Sequence, residues 1–175
     1  VRVEGTPESR AGQEPRAGFQ SVTPGYFRTL GVRVLSGRDF SETDAVDAPA
    51  VALVNETFAR QHWPGQDPIG RRMRVAGETG GWMTVVGLVS DVRHLGPATP
   101  PRPEFYRPHS QLSFSFMAFV VRTTAAPEAM VPAIRAAIGG TDPSQPMSGI
   151  NTMEQHLATA LARPKFMSTL VAGFG

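Results

Sequence analysis

Histidine and acidic residues are the side chains whose types could hold a metal, and their spacing argues against such a site. The four histidines are His62, His94, His109 and His156. Successive histidines are at least 15 residues apart, whereas zinc ligands usually come in pairs separated by a few residues. Glu42, Asp44 and Asp47 lie close together, but the glycine and the alternating ligands of a calcium loop are missing. We therefore expect no metal-binding residues.

Nucleophile and phosphate-binding motifs are also absent from the sequence. No G-x-S-x-G elbow occurs, although Ser90 and Asp91 follow a predicted strand. The glycine-rich stretch Gly77–Gly81 lacks the lysine and the helix of a phosphate-binding loop, and the chain has no cysteine. We expect no catalytic or cofactor-binding residues, so the chain is not predicted to be an enzyme. The alternative, a hydrolase, would require a cleft that joins a histidine, a carboxylate and a serine.

Arginine supplies nearly all the positive charge, and its densest stretch contains Arg71, Arg72 and Arg74. Lysine and arginine together number 17 against 15 acidic residues, so the net charge is +2. That charge is too small for a nucleic-acid-binding surface. Alternation along a strand would place Arg72 and Arg74 on one face. The face is either solvated or a contact for lipid headgroups or an acidic partner.

The composition indicates a folded chain of one domain or two small ones. Hydrophobic residues make up 41% of the 175 residues, which suffices for a core, and charged residues make up 18%. With 18 glycines and 16 prolines, we expect many turns and short elements. Predicted strands and helices interleave irregularly, with hairpins as well as crossovers. This pattern favours α+β layers over a doubly wound parallel sheet.

The helices and strands that position these residues are predicted from the periodicity of the apolar residues and from the glycines and prolines that interrupt it. Predicted strands cover Val1–Val3, Phe19–Val22, Val32–Leu35, Val51–Val54, Arg71–Val75, Trp82–Val89 and Ser113–Arg122. Helices are predicted for Pro24–Leu30, Glu56–Trp63, Pro127–Gly139 and the residues after Thr152. Gly96–Pro108 contains five prolines and is predicted to be a loop.

Capping residues are predicted at the ends of these helices. Thr23 and Asn55 are expected N-caps. Gly31 suits the left-handed residue that ends a helix. Thr152 and Gln155 have the spacing of a capping box.

The last residues form an apolar run, Phe166–Gly175, with ten residues and no charge. A membrane-spanning helix needs about 20 apolar residues. We expect this run to be the start of a truncated transmembrane segment. The alternative is a core helix at the end of a domain.

Short motifs follow one another along about 145 residues, from Val22 to Phe166. In order, they are Val22–Phe27 with Leu30-Gly31, Leu35–Phe40, Val51–Glu56, Trp63–Arg71, Val85–Val92, Thr152–Gln155 and Arg163–Phe166. No single motif is specific to one protein family, but the order in which the motifs occur is. The chain resembles the MacB-like periplasmic core domain of FtsX-like ABC transporter permeases, and within that family it is similar to the duplicated orphan type.

The resemblance implies an α+β fold with two lobes. Residues 1–18 would be a strand and a flexible loop, and residues 19–92 a β-rich, sabre-like lobe. Residues 93–151 would be a porter-like strand–helix–strand lobe. Residues 152–175 would be a connecting helix and the start of the truncated span. The resemblance also implies that the first span and the opening strand and helix of the porter-like lobe are not among these residues.

The function implied is that of a non-enzymatic extracytoplasmic domain of an ABC-type permease. It would couple transmembrane-helix motion to substrate export or extrusion, on the periplasmic or outer side of the cytoplasmic membrane. Implied partners are the permease's own transmembrane helices, a second permease half or protomer and, indirectly, a cytoplasmic ABC ATPase subunit; no nucleic acid and no cofactor are implied. The alternative is a binding domain for a small apolar or lipid-like ligand, lined by Met73, Met83, Met117 and Met130.

The motif residues are expected to have structural roles. They are Tyr26, Phe27, Gly31, Gly37, Arg38, Phe40, Asn55, Trp63, Pro64, Pro68 and Gly70. We expect the aromatic residues Tyr26, Phe27 and Trp63 to be core anchors. The glycines would hold backbone conformations that disfavour side chains.

Overall fold

The computed structural model describes residues 1–7, 15–77, 81–92, 99–112, 114, 116–144 and 146–158. The chain divides into two compact units. The first contains Val1–His94 and Pro100–Val121, and the second contains Leu95–Thr99 and Arg122–Gly175. The structure is a mixed α+β fold, as the sequence predicts.

The described residues of the first unit form a seven-stranded mixed sheet with helices packed against it. Its strands are β1 (Arg2–Val3), β2 (Gly18–Val22), β3 (Val34–Gly37), β4 (Val51–Asn55), β5 (Arg72–Arg74), β6 (Met83–Val89) and β7 (Glu104–Pro108). The order across the sheet is β1-β5-β6-β4-β7-β2, and β3 also pairs with β6. Pairs β4–β6 and β2–β7 are parallel, whereas β4–β7, β5–β6, β1–β5 and β3–β6 are antiparallel.

Strand β4 lies at the centre of the sheet, and all five of its residues are buried. This burial explains its unbroken apolar run, because both sheet faces are covered there. One face packs against α2 (Glu56–His62), in a cluster that includes Ala52, Val54 and Phe58. The other face packs against α1 (Tyr26–Leu30), in a cluster that includes Leu53 and Phe27.

The second unit contains helix α3 (Pro127–Thr141), with Pro132 inside it and none of its residues buried. Residues 153–158 are also helical. The capping box predicted there is confirmed: Thr152 N donates to Gln155 Oε1 at 2.9 Å, and Gln155 N donates to Thr152 Oγ1 at 3.2 Å.

Three local predictions are wrong. The proline-rich stretch predicted as a loop contains β7, because Phe105 and Tyr106 form ladder pairs with Val54 and Leu53. This strand lies in the main sheet, between β4 and β2. No strand is found at 114 or 116–122, the described part of Ser113–Arg122. Helix α1 begins at Tyr26, two residues later than predicted, and its N-cap is Gly25, with φ of 82° and no side-chain hydrogen bond, instead of Thr23.

Within the described residues, no helix combines the length and apolarity needed to cross a membrane. The apolar run predicted to begin a span, Phe166–Gly175, lies outside the described residues.

Candidate functional site

The loop that follows β3 is closed by an ion pair between Arg38 and Asp44. Nη1 and Nη2 of Arg38 donate to the two carboxylate oxygens of Asp44 at 2.8 and 2.7 Å. Asp44 is 3% exposed and also accepts a hydrogen bond from the Ser41 backbone N–H at 2.9 Å. The hydrogen bonds from Arg38, with that from Ser41, hold the pKa of Asp44 below its usual value. Asp44 is therefore a structural residue of this loop.

The same loop is attached to the 3₁₀ turn His109–Gln111 that follows β7. Ser110 Oγ donates to the Asp44 carbonyl oxygen at 2.5 Å. Gln111 Nε2 donates to the Pro49 carbonyl oxygen at 3.1 Å, and Gln111 Oε1 accepts from Val51 N at 3.2 Å. These bonds fix the loop at both ends.

Replacing Asp44 with asparagine is expected to reduce the free energy of unfolding by about 1–2 kcal/mol at pH 7. The pKa of Asp44 is lower in the folded state, so its contribution is present above the unfolded pKa of about 3.9 and is lost as pH falls through the folded value. The difference between Asp44→Asn and the parent chain should therefore shrink below about pH 4. Urea unfolding at pH 7, 5 and 3 measures this.

Asp47 is the matched control, since it lies in the same loop and is exposed. Asp47→Asn should change the free energy of unfolding by less than about 0.5 kcal/mol at each pH. A difference for Asp44→Asn that stays constant down to pH 3 would contradict the role of its carboxylate.

Asn55 joins the start of α2 to the start of β7 and is fully buried. Its Oδ1 accepts from the backbone N–H groups of Phe58 and Glu104, both at 2.9 Å. Its Nδ2 donates to the Arg102 carbonyl oxygen at 2.7 Å. The predicted N-cap is therefore confirmed, and the same side chain also satisfies two backbone groups about 50 residues away in sequence.

A second cap of α2, Asp91, was not predicted from the sequence, where it was considered as part of a hydrolase and as a residue of the Val85–Val92 motif. Its carboxylate accepts from Thr57 N at 2.9 Å, Thr57 Oγ1 at 2.7 Å and Arg60 Nη2 at 3.0 Å. The parallel pairing of β4 and β6 brings the end of β6 beside the start of α2. The sequence signal for such a cap is an acidic residue directly after a strand. It applies when that strand pairs with the strand that leads into the helix.

Glu104 and Tyr106 form a buried polar pair on β7 that sequence reasoning also missed. The Tyr106 hydroxyl donates to Glu104 Oε2 at 3.0 Å. Burial, followed by the nearby charge of Glu104, raises the pKa of Tyr106. The same two causes raise the pKa of Tyr26. Both phenols therefore stay protonated and serve as hydrogen-bonding groups.

The aromatic motif residues lie in both core clusters. Phe27 and Phe40 are 1% and 4% exposed, and their ring centroids are 6.5 Å apart. Tyr26 is half-buried, with its ring edge-on to Phe27 at 5.3 Å. Trp63 packs in the other cluster, 5.7 Å from Phe58.

The remaining motif residues lie at turns. Gly31, Gly37 and Gly70 have φ of 74°, 73° and 79°, the left-handed region that favours glycine. Pro64 is exposed, whereas Pro68 is buried. The motif residues therefore do not converge on one site; they hold turns, helix ends and the two core clusters.

Arg72 and Arg74 of β5 both lie against the ring of Trp82. The guanidinium carbons of Arg72 and Arg74 are 5.8 and 5.0 Å from the centre of the Trp82 ring. Arg72 also pairs with Glu4, which partly neutralises the face.

Two of the four methionines considered as pocket lining belong to the core. Met73 and Met83 are 0% and 3% exposed and pack in the α2 cluster. Met117 is 45% exposed, and Met130 is half-buried in α3. Within the described ranges, no three histidine or acidic side chains are grouped so that they could hold a metal.

Comparison with solved structures finds domains of transport proteins. The periplasmic region of MacB from Actinobacillus actinomycetemcomitans is 16% identical, with a TM-score of 0.49 over 75% of this chain and 67% of that chain. The extracellular domain of the noncanonical ABC-type transporter YknZ from Gram-positive bacteria is 16% identical, with a TM-score of 0.49 over 73% and 65%. A domain of a putative permease protein from Porphyromonas gingivalis is 17% identical, with a TM-score of 0.43 over 80% and 68%.

The chain thus spans about two thirds of the length of these solved domains. No curated protein matches the chain. The sequence profile of the MacB-like periplasmic core domain matches residues 2–137, which is more than half of the chain. The chain therefore belongs to the MacB-like periplasmic core domain family.

Proposed function

We propose that the chain is the extracytoplasmic domain of an ABC-type permease and couples transmembrane-helix motion to substrate export or extrusion. The family match over residues 2–137 carries this proposal. The polar residues Arg38, Asp44, Asn55 and Asp91 support a non-enzymatic role, because each is engaged by groups of the domain itself. The domain transmits movement and has no chemistry of its own.

The domain works with the transmembrane helices of its own permease and with a second permease half or protomer. A cytoplasmic ABC ATPase subunit acts on it indirectly, through those helices. The order of sequence motifs supports a permease of the duplicated orphan type. In this proposal the sheet-containing unit, including β7, is the sabre-like lobe, and the unit that continues from Arg122 is the porter-like lobe. The helix at 153–158 leads toward the membrane.

The alternative function, binding a small apolar or lipid-like ligand, gains no support from the methionines. Met73 and Met83 fill the core of the sheet-containing unit and present no surface to a ligand. We therefore favour the coupling role.

Thiol labelling tests on which side of the membrane the domain lies. Ser36 lies half-buried in β3, so a better position is Val46, which is 71% exposed. A single Val46→Cys substitution is placed in the parent permease after any other cysteines have been removed. We expect a reagent that cannot cross the cytoplasmic membrane to label this cysteine in intact cells.

Phe58→Cys is the control for access within the folded domain, because Phe58 is 0% exposed. It should react only after denaturation. If Val46→Cys reacts only after the cells are lysed, the domain is cytoplasmic and the permease role is wrong.

A further inference from the structure

His62 is a half-buried imidazole in the last turn of α2. Its Nε2 is shielded from solvent, and no described residue forms a hydrogen bond with that nitrogen. The ring packs against Phe58, with centroids 4.4 Å apart, and lies 6.3 Å from the ring of Trp63. A proton on the imidazole would place a charge where Nε2 has neither water nor an acceptor. The neutral form of His62 therefore fits this site better than the charged form.

The two ends of α2 are held by different interactions. At its start, the side chains of Asn55 and Asp91 accept hydrogen bonds from backbone N–H groups. At its end, the Trp63 N–H donates to the Ala59 carbonyl oxygen at 2.8 Å, and the Trp63 side chain is 5% exposed. The end of the helix thus depends on packing, and helix ends open more easily than helix interiors. A charge on His62 acts at this end.

The charged groups near His62 either oppose its protonation or are bonded elsewhere. On α2, the side chains of Glu56 and Arg60 both bond to Asp91. From the N-terminal segment, the α-ammonium group of Val1 acts on His62 by charge repulsion. Burial, followed by this repulsion, lowers the pKa of His62. The dipole of α2 favours a positive charge at this position, but burial outweighs it.

We propose that α2 opens at its end when the solution is acidified, because His62 takes up a proton more readily after it has left its site beside Phe58. The pKa of His62 is lower in the folded state, so the closed state is fully favoured above the unfolded value of about 6.5 and is weakened as pH falls through the folded value. In the open state, Trp63 leaves the core cluster while the capped start of α2 stays in place. The proposal does not rest on the transport role.

Hydrogen exchange of single backbone amides measures this opening. The amides of Trp63 and Gln66 donate to the carbonyl oxygens of Ala59 and Trp63, so they report on the end of α2. The amide of Phe58, which donates to Asn55, reports on its start. After correction for the intrinsic pH dependence of exchange, protection of Trp63 and Gln66 should fall at least about threefold from pH 7.5 to pH 5. Protection of Phe58 should not change.

Two substitutions of His62 remove the titrating group. His62→Phe keeps an aromatic ring against Phe58, and His62→Gln serves if the first variant does not fold. Either variant should abolish the fall in protection at acidic pH. His156→Phe is the matched control, because His156 is exposed in the helix at 153–158. This variant should keep the full response.

A chain with two alanines added before Val1 separates the two causes of the lowered pKa. The extension moves the α-ammonium group away from His62 and leaves the contact with Phe58 in place. Because burial is the larger cause, the response should persist in the extended chain. Proton NMR of the imidazole should show His62 titrating below pH 6.5 in both chains.

Any of four results would overturn the proposal. His62 could titrate at or above pH 6.5, or protection of Trp63 could be the same at both pH values. Protection could fall equally at Phe58 and Trp63, which would show unfolding of the whole domain. The response could survive in both His62 variants or disappear in the extended chain, and the imidazole in its packed site would then not be its cause.

Discussion

Replacing Gly37 with alanine is expected to lower the free energy of unfolding by about 3 kcal/mol or more. Gly37 ends β3 with φ of 73°, a conformation that L residues rarely adopt. A Cβ at this position would overlap the Val86 carbonyl oxygen and lie 2.9 Å from Ile69 Cδ1 and 3.0 Å from Gly87 Cα. The overlap is with the backbone of β6, which cannot move without disturbing the sheet. Chemical denaturation measures the change.

Gly65→Ala is the matched control. Gly65 has φ of 69°, but a Cβ there would meet nothing within 4 Å. Its substitution should lower the free energy of unfolding by only about 1 kcal/mol, because only the unfavourable backbone conformation contributes. Equal losses for the two variants would show that the close approach of β3 to β6 is unimportant.

Replacing Asn55 with alanine is expected to cost about 3 kcal/mol. The substitution leaves the N–H groups of Phe58 and Glu104 and the carbonyl of Arg102 without their partner. Because Asn55 is 0% exposed, water does not readily replace it. The loss affects α2 and β7 together, so we expect one cooperative transition at lower denaturant concentration.

Asn151 is the control for this prediction, because it is exposed and its Nδ2 donates only to the Gly149 carbonyl at 3.1 Å. Asn151→Ala should change stability by less than about 0.5 kcal/mol. If Asn55→Ala were equally mild, the three buried hydrogen bonds would not be important for stability.

Three features at helix ends that depend on neighbours within a few residues were predicted from the sequence. The cap at Asn55, the left-handed Gly31 and the reciprocal bonds of Thr152 and Gln155 were all predicted, because each motif contains its own partners. Of the seven strands in the described residues, six were predicted with both ends within two residues of the observed ends. Most of these strands are apolar runs bounded by turn residues.

Features that depend on distant partners were not predictable in this way. Strand β7 sits in a proline-rich stretch, and only its ladder with β4 makes it a strand. The composition of residues 114 and 116–121 favours a strand, but the structure has none at these described positions. Asp91 lies 34 residues from Thr57, whose helix it caps, so only the parallel pairing of β4 and β6 reveals its role.

The position of β2 has a consequence for the order in which the chain folds. Within the described residues, β2 lies at the end of the sheet and pairs only with β7. Gly18 and Val22 can therefore pair only after Glu104 and Pro108 have been synthesised. Most of the domain must emerge during synthesis before its second strand acquires a neighbour. Such long-range parallel pairing slows folding, and it leaves β2 without a neighbouring strand until β7 has formed.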